Sequence, residues 1–221
     1  MRPGPASAAA GSPRKMADAP TADQTASSVV RPPGAIVLAR HGEPALSRKV
    51  RFDARTYGDW WARYEEGGLL PGQTPPDCLL DIAARSPVIV SSTRRRSIET
   101  AQAVAGGRDF PRDPMFIEAP LPPPPWPSWI KLSPKKWGFF ARFWWWFFDH
   151  HMGQESRTQA EARAEAAADA LIALSQDGRD VLLVAHGFFN VMIGNALQAR
   201  GLKKTLDQGF QYWCVKRFER A

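Results

Sequence analysis

Two of the four histidines in this chain, His41 and His186, each follow a short apolar run and each precede a glycine. A glycine there lets the backbone turn tightly and approach a ligand closely. Two histidines in matching settings argue for a shared site more strongly than either would alone. Arg40 stands beside His41, and a permanent cation next to an imidazole disfavours protonating the ring. That suits a histidine that must attack as a neutral base. The planar guanidinium of Arg40 can also donate two hydrogen bonds to phosphoryl oxygens, a geometry that lysine cannot reproduce. A run of three more arginines, Arg94-Arg95-Arg96, follows Ser92 and Thr93 just beyond another apolar run.

These side chains need a frame that brings them together. Ala35 to Ala39, Pro87 to Val90 and Asp180 to Ala185 each read as a strand buried on both faces and ending in polar residues. Helical stretches follow from about Arg95 to Val104 and from His186 to about Ala199. Parallel neighbours require crossover connections, so the pattern predicts an α/β/α sandwich of three layers with a mostly parallel central sheet. Ligands bind beyond the carboxyl ends of such strands, where His41, the Ser92 to Arg96 loop and His186 all arrive. Ser156 with Gln159 forms a capping-box signature opening an Ala-rich helix to about Leu174. Met115 to Glu118 reads as a brief strand before the stiff, extended run Pro122 to Pro125. Phe210 to Phe218 reads as a last strand at a sheet edge.

A length of 221 residues with 44% hydrophobic content supports one domain with a sizeable core, expected over 35–221. Residues 1–34 are rich in Ala, Pro, Ser, Gly and Thr and hold no apolar run long enough for a secretory signal. They are expected to be a disordered tail, with Met16 as an alternative start. The net charge of +7 favours an acidic partner, but no motif of a nucleic-acid reader accompanies it, so nucleic acid is not expected. Cys78 and Cys214 lie far apart and outside any C-x-x-C pattern, which suggests neither a disulfide framework nor zinc, and a reducing, cytoplasmic setting.

An aromatic insert at about 120–152 stands apart from this frame. Its segment Trp137 to Phe148 is apolar almost all round, is preceded by Lys131, Lys135 and Lys136, and opens with Ser133-Pro134 as a helix start does. It is too short to span a bilayer. Three readings stay open: burial against the sheet or capping of the site, self-association, and peripheral contact with an anionic membrane surface. His150 and His151 follow, but beyond Asp149 no carboxylate or cysteine cluster supports a metal site there.

Arg40-His41-Gly42-Glu43 after an apolar strand resembles the R-H-G signature of the histidine phosphatase superfamily, which includes the cofactor-dependent phosphoglycerate mutases. The segment Ser92 to Ala101 resembles that family's S-P-L-x-R-A-x-x-T-A element, with Thr93-Arg94 in place of Pro-Leu and the phosphate-binding arginine at Arg96. Val184-Ala185-His186-Gly187 is similar to the late V-S-H-G element, and Glu155-Ser156 with Arg163 resembles the E-S helix. Ser47 departs from the pattern, standing where many relatives carry asparagine.

The resemblance implies a phosphoglycerate mutase-like fold and a metal-independent phosphatase acting on a small phosphate ester. It implies His41 as nucleophile and phosphohistidine site, with Arg40, Arg96 and His186 holding the equatorial oxygens. Glu118 is the implied proton donor, with Asp113 as the alternative, and no cofactor or metal is implied. Substrate choice would lie in 48–70 and 120–152. Two other readings remain: a phosphomutase or phosphotransferase of the same superfamily, and a non-catalytic phospho-ligand binder or membrane-associated module.

Overall fold

The computed structural model describes residue 1 and residues 32–220, so the expectations of a disordered tail over 1–34 and of a start at Met16 fall almost wholly outside the described residues. Strands β1 (Ile36–Arg40), β2 (Val88–Ser92), β3 (Arg112–Asp113), β4 (Val181–Ala185), β5 (Leu202–Asp207) and β6 (Val215–Arg220) form one sheet in the order β3-β2-β4-β1-β6-β5. β4 is the pivot: Leu183 pairs with Leu38 of β1 on one side and with Val90 of β2 on the other, both in parallel. β3 continues the parallel set, whereas β6 runs antiparallel to β1 and β5 antiparallel to β6.

Alternation along the central strands sends side chains to two cores. Ile36, Leu38, Leu183 and Phe218 pack with helices α5 (Arg157–Leu174) and α6 (Gly187–Ala199). Val37, Ala39, Ile89, Leu182 and Val184 pack on the opposite face with α2 (Asp77–Arg85) and α3 (Arg95–Val104). The sheet is thus covered on both faces, as the wholly apolar strands require. α5 buries mostly alanines, namely Ala160, Ala164, Ala167 and Ala168, and these small side chains let it lie close against α6. Its capping box is formed, with the Ser156 side chain accepting from Gln159 N and the Gln159 side chain accepting from Ser156 N.

A third cluster lies outside the sheet. α1 (Ala54–Glu66) and α4 (Pro134–Phe148) pack through Tyr57, Trp60, Tyr64, Trp137 and Ala141, with Phe52 closing the end. Trp137 Nε1 donates to Phe52 O at 2.7 Å, so its indole N–H is paired, whereas the Tyr57 hydroxyl is buried without a hydrogen-bond partner.

Two strand expectations are corrected. Met115 to Glu118 is not a strand. β3 ends at Asp113, whose carboxylate accepts from Met115 N at 2.7 Å and starts a 3₁₀ turn over Pro114–Phe116, with Pro114 at its first position where no N–H is needed. The last strand begins at Val215, after a turn through Phe210 to Trp213, and lies inside the sheet between β1 and β5. The edge belongs to β5, whose sequence L-K-K-T-L-D buries only Leu202. An edge strand wet on both faces carries no apolar alternation, and its lysines protect an open edge from pairing with another chain.

Candidate active site

The carboxyl ends of β1, β2 and β4 bring His41, Ser92 and His186 into one buried cluster. The two imidazole rings lie 5.3 Å apart between centroids. Arg96, from the first turn of α3, lies between them and is itself buried.

Hydrogen-bond partners fix the form of each ring. His41 Nδ1 lies 2.7 Å from Gly42 O. A carbonyl only accepts, so Nδ1 carries the proton and Nε2 keeps its lone pair. That lone pair faces Arg96, whose Nε donates to it at 3.2 Å. His186 is ordered in the opposite sense, with Nδ1 accepting from Arg96 Nη2 at 3.3 Å and Nε2 donating to Ser92 Oγ at 2.9 Å. Burial first, then the charges of Arg96 and Arg40, hold His41 well below the usual imidazole range. His186 is held low by burial, by Arg96 and by the neighbouring ring. The expected effect of Arg40 on His41 therefore has the right sign but ranks behind burial and Arg96.

Arg96 is held from behind. Its Nη1 donates to Tyr64 O at 2.9 Å and its Nη2 to Glu65 Oε1 at 2.8 Å, while its guanidinium stacks over the Tyr64 ring at 4.7 Å. Arg40 stacks over Tyr212 at 4.6 Å and donates to Phe210 O, and its Nε is buried without a partner. The two glycines after the histidines have separate steric reasons. A Cβ on Gly42 would lie 2.4 Å from the Trp213 ring, and one on Gly187 would lie 3.2 Å from Arg40 Nε. Thr100 fastens the His41 turn to α3: its Oγ1 accepts from Gly42 N at 3.0 Å and donates to Arg96 O at 2.7 Å.

A cavity of about 500 Å³ opens above this floor, lined among others by Arg40, His41, Arg48, Arg96, Glu118 and Arg142. Glu118 follows the 3₁₀ turn and caps α6, accepting from Phe188 N at 3.2 Å and from Phe189 N at 2.9 Å. Arg163 holds this stretch in place by donating to Met115 O and Ile117 O while pairing with Glu155 at 2.7 Å. Asp113 is not among the lining residues, because its carboxylate caps the turn instead. Arg94 pairs with Glu65 and Arg95 with Glu99, so two of the three consecutive arginines are tied to carboxylates outside this cavity.

Sequence reasoning gave 48–70 and 120–152 to substrate choice but singled out none of Glu65, Tyr64, Arg48 and Arg142 within them. The first two sit on α1, which was not anticipated although Tyr57, Trp60 and Tyr64 repeat at helical spacing after Asp53, whose carboxylate caps Thr56 N at 2.9 Å. Arg142 sits inside the aromatic insert, stacked on Phe188 at 3.9 Å, and burial pushes its guanidinium down to about 10, still charged at neutral pH. His150 points its Nε2 at Pro123 O, and no group of three metal-ligating side chains occurs among the described residues.

The fold has solved relatives. It resembles a structure described as mycobacterial hydrolase 1, with TM-score 0.52 and 23% identity over 83% of this chain and 90% of that one. Mycobacterial hydrolase 2 follows with TM-score 0.51 and 21% identity over 85% and 82% of the two chains. Phosphoserine phosphatase from Entamoeba histolytica, in complex with 3-phosphoglyceric acid, matches with TM-score 0.50 and 13% identity over 83% and 89%. No curated protein sequence matches the chain. Residues 81–221, which carry Arg96, Glu118 and His186, match the family model for branch 1 of the histidine phosphatases, and the chain belongs to the histidine phosphatase superfamily.

Proposed function

We propose that the protein is a metal-independent phosphatase that hydrolyses a small phosphate monoester through a phosphohistidine on His41. The observation that carries this reading is the state of that ring: buried, held neutral, with Nδ1–H fixed on Gly42 O and the Nε2 lone pair turned toward Arg96. A nucleophile needs a free lone pair at neutral pH, and these contacts supply it.

In the first step the Nε2 lone pair attacks phosphorus in line, an N–P bond forms and the ester P–O bond breaks. The leaving oxygen takes a proton from the Glu118 carboxyl. Arg40 and Arg96 bear on the equatorial oxygens, for Arg96 through the two donors now spent on the histidine nitrogens, and His186 joins them by turning its Nε2–H from Ser92 Oγ to the phosphoryl group. Phosphoryl transfer asks mainly for positioning and charge stabilisation, and a floor with three cationic or donor groups offers both. In the second step water attacks the phosphohistidine, Glu118 takes back a proton, the N–P pair returns to Nε2 and inorganic phosphate leaves. The phosphatase name of one fold relative agrees with water as the acceptor.

The test is incubation with a generic aryl phosphate, with and without chelator, comparing the wild type with His41→Ala. The expected result is turnover that resists the chelator, together with acid-labile, base-stable phosphate on the protein, both lost in the variant. Turnover that survives His41→Ala would overturn the assignment. Isomerised product from a phosphorylated sugar acid without released phosphate would move it to a mutase.

A further inference from the structure

α4 carries aromatic residues on two faces, and the structure gives them different fates. Trp137, Ala141 and Trp145 repeat every four residues and are buried against α1 and the sheet. Phe139, Phe143 and Phe147 repeat at the same spacing on the other side and are 67%, 40% and 65% exposed, joined by Phe148 at 64%. Phe143 lies 4.7 Å from Phe147 and 6.1 Å from Phe148 between centroids, so these three rings form one patch, with Phe139 one turn earlier on the same side. A contiguous apolar patch of this kind marks a contact surface.

Charge says what covers it. From Ala119 to Phe148 the chain holds no aspartate or glutamate, while Lys131, Lys135 and Lys136 are exposed around the start of α4 and Arg51 is tied to Lys131 O at 2.9 Å. A second copy of this chain would bring the same lysines against themselves. A surface of anionic headgroups over an apolar interior matches both parts, with lysines in the headgroup layer and rings below it. No helix among the described residues is long and apolar enough to cross a membrane, which leaves a helix lying in the interface plane.

We infer that α4 seats this protein on an anionic bilayer through the exposed Phe139, Phe143, Phe147 and Phe148, with Lys131, Lys135 and Lys136 against the headgroups. Lys135 and Phe139 also line the mouth of the catalytic cavity, so the seated protein opens its site at the membrane surface. The seat itself does not depend on the phosphatase reading.

The experiment is flotation of the full chain with vesicles of phosphatidylcholine alone and of phosphatidylcholine with phosphatidylglycerol at low and high salt. The variants are Phe143→Ser/Phe147→Ser and Lys131→Gln/Lys136→Gln, which avoid the cavity, and thermal unfolding of each confirms that it folds. The expected result is flotation with anionic vesicles only, weakened by salt, reduced at least tenfold in the phenylalanine variant and severalfold in the lysine variant. Wild-type protein that stays with the soluble fraction, or a folded phenylalanine variant that floats equally well, overturns the proposal. A wild-type dimer that the phenylalanine variant converts to a monomer, without flotation of either, assigns the patch to a second copy. These outcomes are read without turnover, so an inactive protein would count against the phosphatase and leave the seat standing or falling by itself.

Discussion

At the floor of the cavity, His41, Arg96 and His186 are held by strand ends and by hydrogen bonds to one another, whereas the wall made by α1 and α4 is held by stacked rings such as Tyr57 on Trp137 at 5.9 Å and Trp60 on Tyr64 at 5.0 Å. Floor atoms are directional donors and acceptors, and moving one by an ångström changes what it can do. The wall is apolar area, which is tolerant of small shifts and sets what may enter. Substitutions in the floor should therefore act on the chemical step, and substitutions in the wall on stability and access.

His41→Ala should be the largest single loss, about 10⁴-fold or more in turnover, because no neighbour can replace the lone pair. Arg96→Ala should lower turnover by about 10² to 10³-fold, the range seen for loss of one preorganised donor to developing charge. It should also move the acid limb of the pH profile. On the proposed mechanism His41 attacks as the neutral ring, so activity should fall as pH drops through its depressed pKa. Removing the second-ranked cause of that depression raises the pKa and shifts the limb to higher pH, although burial still keeps it below the usual value. An unshifted limb would mean that the limb belongs to another group.

Glu118→Gln keeps one of the two oxygens that cap α6 while removing the proton. Turnover of an alkyl phosphate should fall about 10²-fold, and that of an aryl phosphate with a good leaving group should change little. Equal losses on both esters would make Glu118 a cap alone. Gly42→Ala should cost about 1 to 3 kcal/mol of stability, read by denaturant unfolding, since its Cβ meets the rigid indole of Trp213 rather than a flexible chain end. The mildest change is in the wall. Trp137→Phe loses the bond to Phe52 O and should cost about 1 kcal/mol, with turnover of a small aryl phosphate unchanged within about twofold. A large fall in turnover there would erase the distinction between floor and wall.

The floor was legible in the sequence because its residues follow wholly apolar strands, and a parallel sheet sends all such strand ends to one edge. Glu118 lines the cavity even though the strand expected before it is a 3₁₀ turn over Pro114–Phe116, since the chain leaving that turn runs on to the same side. The wall was not legible as a wall. α1 alternates tyrosine and tryptophan with charged residues, and only packing on α4, some eighty residues later, reveals which face is inside. β5 gave no signal because an edge strand with one buried side chain has no pattern to read.

Helix α1 ends at Glu66, and the carbonyls of its last turn have no partners within the helix. Arg96 satisfies two of them, Tyr64 O at 2.9 Å and Glu65 O at 3.3 Å, and so serves as the terminal cap of a helix it does not belong to. The side chain assigned to grip the phosphoryl group is thus also the latch of the cavity wall. On the proposed mechanism Nε and Nη2 face the phosphoryl group while Nη1 keeps α1 wound, and loss of Arg96 should fray that helix end, visible as faster amide exchange and protease cleavage near Gly67 in an otherwise folded protein.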